Sequence, residues 1–182
     1  MLSRQHGVTL IELIIGIVVL AISLSIVTSV LGPLYVKSAD PWHQVRAAEL
    51  GHSLMNEILG KSFDENSNRS GSLLRCNETG ADLCTEAADF GADCANGSSS
   101  CPAGPFESRN QYDDVDDFHD LNVSGEQINN IFGNDLRMAD IYRSYQVQVS
   151  VSYDDAVTKR ILIQVTTPTG AVIDFAALKG NW

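Results

Sequence analysis

From Leu13 to Leu31 the chain runs 19 residues without a charge, close to the roughly 20 that a helix needs to cross a bilayer core. The apolar stretch begins at Val8 and holds one carboxylate, Glu12, besides a few hydroxyls. A carboxylate at mid-helix in such a span costs about 2.5–3.5 kcal/mol on insertion scales, so its presence points to a task. The span has no Lys or Arg to neutralise it. A cut between Gly7 and Val8 would supply the missing positive charge as a new α-amine at Val8. That amine lies four residues before Glu12, on the same helical face. In a bundle of identical helices the amine of one chain meets Glu12 of its neighbour, and Glu12 becomes a device for assembly within the membrane.

An ordinary signal peptide has a basic head, an apolar core of about 7–15 residues and a small-residue cleavage site. Here the core is longer, contains Glu12, and is followed by no A-x-A-like site. The stretch Gly7-Val8-Thr9-Leu10-Ile11-Glu12 instead resembles the processing site of the type IV pilin and pseudopilin family, with Val8 where the family usually has Phe. The resemblance implies that residues 1–7 are a leader removed by prepilin peptidase. It implies that Gly7 precedes the scissile bond, that Val8 becomes the N-methylated first residue, and that Glu12 directs assembly. It further implies partners among other pilin subunits and an inner-membrane assembly platform, a single-pass anchor with a periplasmic head, and an α+β pilin-like fold. The segment Arg46-Ala47-Ala48-Glu49-Leu50 and the following Ser53 to Leu59 are similar to minor pilins of mannose-sensitive haemagglutinin (MSHA) pili.

The net charge of −11 repels phosphate and provides no basic stripe, which argues against nucleic acid as a partner. Arg4 is the only Lys or Arg ahead of the span, which favours a cytoplasmic leader and an exported C-terminal part. All four cysteines, Cys76, Cys84, Cys94 and Cys101, fall within 26 residues. An even count in an exported domain reads as two disulfides. The rival, a zinc site, lacks CxxC pairs and suitably spaced histidines. Of the three pairings, Cys76–Cys84 with Cys94–Cys101 closes the shortest loops.

Gly32-Pro33 predicts the end of the span and a break or kink there, since proline lacks a backbone donor and clashes with the preceding turn. Leu34 to Ala39 reads as a connector. Asp40-Pro41 reads as a new helix start, a capping side chain followed by proline at the first helical position. Trp42, Val45, Ala48 or Glu49, Gly51 or His52, Leu54 or Met55, and Ile58 then recur at helical spacing as the expected sheet-facing stripe. These signals divide the chain into a leader (1–7), a transmembrane and assembly helix (8–31), a linker and amphipathic helix (32–62), a disulfide-containing variable loop with an acidic segment (63–140), and an antiparallel meander (141–182).

Two readings stay open for the acidic run Tyr112 to Asp120. Asp114, Asp116 and Asp120 are oxygen ligands of the kind calcium takes, although the glycine and distal glutamate of an EF-hand are missing. Alternatively the run is a solvated loop, or its carboxylates cap their own turn or pair with Arg109, Arg137 or Arg143. Beyond the run, Tyr145, Val147, Val149, Val151 and Tyr153 alternate with Gln and Ser, and Ile161, Ile163 and Val165 share one face of the next segment. Ala171 to Leu178 makes a third strand. The expected core is one sheet face packed on the amphipathic helix.

The sequence presents no enzyme. It has no nucleophile elbow and no phosphate-cradling glycine loop. The paired carboxylates of Asp113 to Asp117 have no evident partner to split their pKa values. No cofactor is implied. The function expected is that of a minor pilin-like subunit. The alternatives are a minor pseudopilin of type II secretion, or a membrane-anchored periplasmic binding domain whose receptor surface is the Cys-rich loop and acidic run.

Overall fold

A computed structural model describes residues 9–67, 74–95, 104–128 and 140–182, without the side chains of 32–40 and 126. Its elements are helix α1 (Leu10–Gly60), strands β1 (Asn122–Ser124), β2 (Gln146–Asp155), β3 (Thr158–Thr166) and β4 (Val172–Gly180), and three short 3-10 turns. The fold is α+β: a long N-terminal apolar helix, then an amphipathic helical segment and an antiparallel four-stranded sheet. This is the architecture that the pilin resemblance implies. The chain divides into two compact units, Met1–Trp42 and His43–Trp182.

In the first unit the described residues form α1 from Leu10 onward. The break expected at Gly32-Pro33, the connector from Leu34 to Ala39 and the new start at Asp40-Pro41 are not what the structure shows. Residues 32–40 are helical. Each proline removes one hydrogen bond and strains one turn, at a cost of about 3 kcal/mol, and the helical bonds on either side outweigh those two local losses.

In the second unit the sheet order is β1-β2-β3-β4, every pair antiparallel. The expected inward residues of β2 and β3 are buried: Val147, Val149, Val151, Ile161, Ile163 and Val165. They meet Ala47, Leu50, Leu54, Met55 and Ile58 of α1 in a single core. The helix stripe agrees with the one expected at Gly51, Leu54, Met55 and Ile58 and differs before them: Trp42 and Val45 are exposed, and Ala47 and Leu50 are buried in their place. Ala47, Leu50, Gly51 and Leu54 follow the i, i+3, i+4 and i+7 spacing of one face, chosen by small residues at 47 and 51 that let the sheet approach. Strand β1 carries no readable alternation because it is three residues long.

Residues 61–67 return from α1 to the sheet. Phe63, Cys76 and Cys84 form a second, smaller apolar cluster against Tyr153. Tyr153 donates from its hydroxyl to Thr85 O at 2.8 Å, and Asn181 Nδ2 donates to Cys76 O at 3.2 Å. Loop segments of this irregularity keep their place because their backbone groups find such partners.

Candidate functional site

Thr9 opens the helix. Its carbonyl accepts the backbone N–H of Glu12 at 3.1 Å and of Leu13 at 3.2 Å. Glu12 therefore sits in the first turn, where the positive end of the helix dipole favours a carboxylate. The apolar span runs Leu10–Leu31, 22 residues with none buried within the chain. At 1.5 Å per residue this is about 33 Å of helix, enough for a hydrocarbon core of about 30 Å. The hydroxyls bond inside the helix: Ser23 to Val19 O at 2.8 Å, Thr28 to Leu24 O at 2.9 Å and Ser29 to Ile26 O at 2.8 Å. Such back-bonding makes hydroxyls compatible with lipid. Glu12 is the exception, since no ion pair joins its carboxylate to the described residues. Gly7 and Val8 lie outside the described residues.

The span Leu10–Leu31 is long and apolar enough to cross a membrane and carries one carboxylate, Glu12, in its first turn. Residues 2–28 match the prokaryotic N-terminal methylation motif. This is a prepilin-type N-terminus. No curated protein and no solved structure matches the chain. The prepilin-type motif supports a pilin- or pseudopilin-like subunit. It implies processing by prepilin peptidase and assembly with other pilins, and together with the apolar helix it fits a membrane-anchored pilin.

In the second unit the structure assembles an ion cluster that sequence reasoning missed. Lys159 of β3 is fully buried, and so is Asp64, while Asp116 is 3% exposed. Lys159 Nζ donates to Asp116 Oδ1 at 2.5 Å, to Phe63 O at 2.8 Å and to Asp64 Oδ2 at 3.0 Å. The rings of Phe63, Phe90 and Tyr153 enclose the ammonium at 4.5, 4.9 and 5.5 Å. The one signal in the sequence was phase: Lys159 falls in step with Ile161, Ile163 and Val165, on the inward face.

Asp114, Asp116 and Asp117 of the acidic run are thus buried, while Asp113 and Asp120 are exposed. Asp117 Oδ2 accepts the N–H groups of Asp113 at 2.9 Å and Asp114 at 3.2 Å, and Asp114 Oδ1 accepts Asp117 N–H at 3.1 Å. The self-capped turn is real, but the cation is Lys159 and not an arginine. Arg109 pairs with Glu57 at 2.7 Å and Arg143 with Asp140 at 3.0 Å. Arg137 lies outside the described residues. Asp114 accepts within the turn and hydrogen-bonds Asp116, Asp116 accepts from Lys159, and Asp120 lies apart on the surface with a positive φ of 59°.

The expectation that these carboxyls have no partner to split their pKa values is also corrected. Burial, then Asp116 and Asp117, pushes Asp114 up to about 10. Burial raises Asp116, against the pull of Lys159, and raises Asp117, against the backbone N–H groups it accepts. Nearby, burial and then Asp113 push Glu65 up to about 7, and burial and then Asp117 push Asp93 up to about 6.

Cys76 is bonded to Cys84. Cys94 is disulfide-bonded as well, and Cys101 lies outside the described residues. Among the described residues, Asp64, Cys76 and Cys84 bring possible metal-ligand atoms together, but both sulfurs are consumed by the disulfide, and zinc needs thiolates. An open groove of about 670 Å³ lies beside the acidic turn, lined in part by Phe90, Asp93, Phe106, Tyr112 and His119.

Proposed function

We propose that this chain is a minor pilin-like structural subunit without catalytic activity, similar to the minor pilin D of MSHA pili, that is assembled into, or initiates or caps, a fibre used for surface attachment. Prepilin peptidase cuts after Gly7, Val8 is N-methylated, and the helix waits in the inner membrane with its head in the periplasm. The observation that carries the reading is Glu12 at the start of the otherwise uncharged span Leu10–Leu31, none of which is buried within the chain. The methylated amine of one chain pairs with Glu12 of its neighbour in a dry bundle and fixes their register. Removing one partner of such a pair costs about 3–5 kcal/mol.

Intact-mass and N-terminal analysis of protein from native membranes tests the reading. The expected product begins at N-methyl-Val8. A chain still starting at Met1 would overturn processing and favour an anchored periplasmic binding domain. Glu12→Ala is expected to leave the head folded and to abolish incorporation into the fibre. A minor pseudopilin of type II secretion carries the same N-terminal logic, and the subunits that co-purify with the processed chain separate the two.

A further inference from the structure

The buried ion cluster sets the Lys159 amine against two carboxyls within a cage of aromatic rings. We propose that Lys159 Nζ and Asp116 Cγ condense to an intramolecular amide, a covalent cross-link inside the head. The contact of 2.5 Å between Nζ and Asp116 Oδ1 leaves the nitrogen on the order of 3–3.5 Å from Cγ, the separation of a near-attack arrangement. Both groups are buried, and three aromatic rings surround the amine. The site therefore excludes the water that would otherwise oppose condensation.

The two neighbouring carboxyls supply the proton transfers, and their surroundings assign the roles. Asp64 is saturated with donors: Asn66 N–H at 3.1 Å, Thr85 N–H at 2.9 Å, Thr85 Oγ1 at 3.3 Å and Lys159 itself at 3.0 Å. It takes the proton that the ammonium gives up. Asp116, the closer carboxyl, is held towards its neutral acid by burial and is the electrophile. Asp114, protonated at neutral pH, hydrogen-bonds the Asp116 carboxyl and polarises it.

The step balances without a co-reactant. Lys159 loses one proton to Asp64, and its lone pair forms the Nζ–Cγ bond. The Cγ–OH bond of Asp116 then breaks as Asp114 protonates the departing hydroxyl, which leaves as water. Asp114 recovers a proton from the nitrogen, and nothing is oxidised or reduced. The bond links positions 43 apart in sequence, so it closes β1 and β2 into a covalent loop. The chemistry rests on the head alone. Its use, a head that resists pulling, rests on the proposed place in a fibre.

The test is mass spectrometry of the purified full chain, reduced and denatured, with the mass referred to the N-terminus found in the same sample. Leader cleavage and cross-linking are then read independently. The expected mass is lower by one water. Trypsin is expected to yield a branched peptide joining the Asp116 and Lys159 segments, with no cleavage after Lys159. Lys159→Arg keeps the charge but cannot condense, and it is expected to give the full mass and two separate peptides. Asp64→Asn is expected to slow or abolish the cross-link, and an undiminished yield would overturn its role as proton acceptor. A wild-type chain of full mass, with unbranched peptides and a cooperative melt showing that the head is folded, would overturn the proposal.

Discussion

Phe175 of β4 lies so close over Gly51 of α1 that a Cβ built on Gly51 would overlap its ring. The same ring meets His52 edge-on, with centroids 5.1 Å apart. Gly51 is buried in the middle of a helix, where glycine costs about 1 kcal/mol relative to alanine. The close approach of helix and sheet is what offsets that cost. Gly51→Ala gains the helix propensity and incurs an overpacking penalty of about 1–3 kcal/mol. We expect a net loss of stability, visible as a lower Tm of the full chain in detergent. Adding Phe175→Leu is expected to recover most of it, and a double-mutant cycle measures the coupling.

The raised carboxyls make the head sensitive to alkali. Glu65 rises from the ordinary value 4.5 to about 7 and Asp93 from 3.8 to about 6. Each binds protons more tightly folded than unfolded, so its favourable linkage is complete below the unfolded value and is lost as pH rises through the folded one. The Tm is expected to fall from about pH 4 upward, through the range of about 6 to 7 where these two groups titrate in the folded chain, and on towards about 10 where Asp114 follows. Asp93→Asn is expected to raise the Tm at pH 8 and to leave it nearly unchanged at pH 4.

The Cys76–Cys84 bond spans a sequence separation of 8. Chain-entropy reasoning gives a loop of this size about 2–3 kcal/mol. Replacing both cysteines by serine is expected to lower the Tm accordingly. Hydrogen exchange in the replaced protein is expected to quicken first near Ser67 and Asn181, which bond to each other and to the Cys76 backbone.

Arg109 fastens the 104–118 segment to α1. Its guanidinium pairs with Glu57 at 2.7 Å and lies over Phe118 at 4.3 Å and Tyr112 at 5.3 Å. Lysine cannot reproduce a flat cation stacked between rings. Arg109→Lys is expected to cost roughly 1 kcal/mol and to speed amide exchange in that segment more than in β2 and β3.

The sequence by itself determined the parts of this protein that depend on local pattern. An uncharged apolar run, with Glu12 at its head, states its own need for lipid or neighbouring helices. Alternation places Val147 to Val151 and Ile161 to Val165 on one inner face. The tertiary structure decided the rest. Prolines at 33 and 41 signal a break only when weighed singly, and the helical bonds around them decide otherwise. Which stripe of α1 is buried depended on where the sheet comes close enough to need Gly51. Above all, Lys159 reads in sequence as one charge on a strand, and Asp113 to Asp117 reads as a solvated run. Only folding brings Lys159 to Asp116 and Asp64, which lie 43 and 95 residues away in the chain. Burial then changes their chemistry, because a charge removed from water must either be paired or be neutralised.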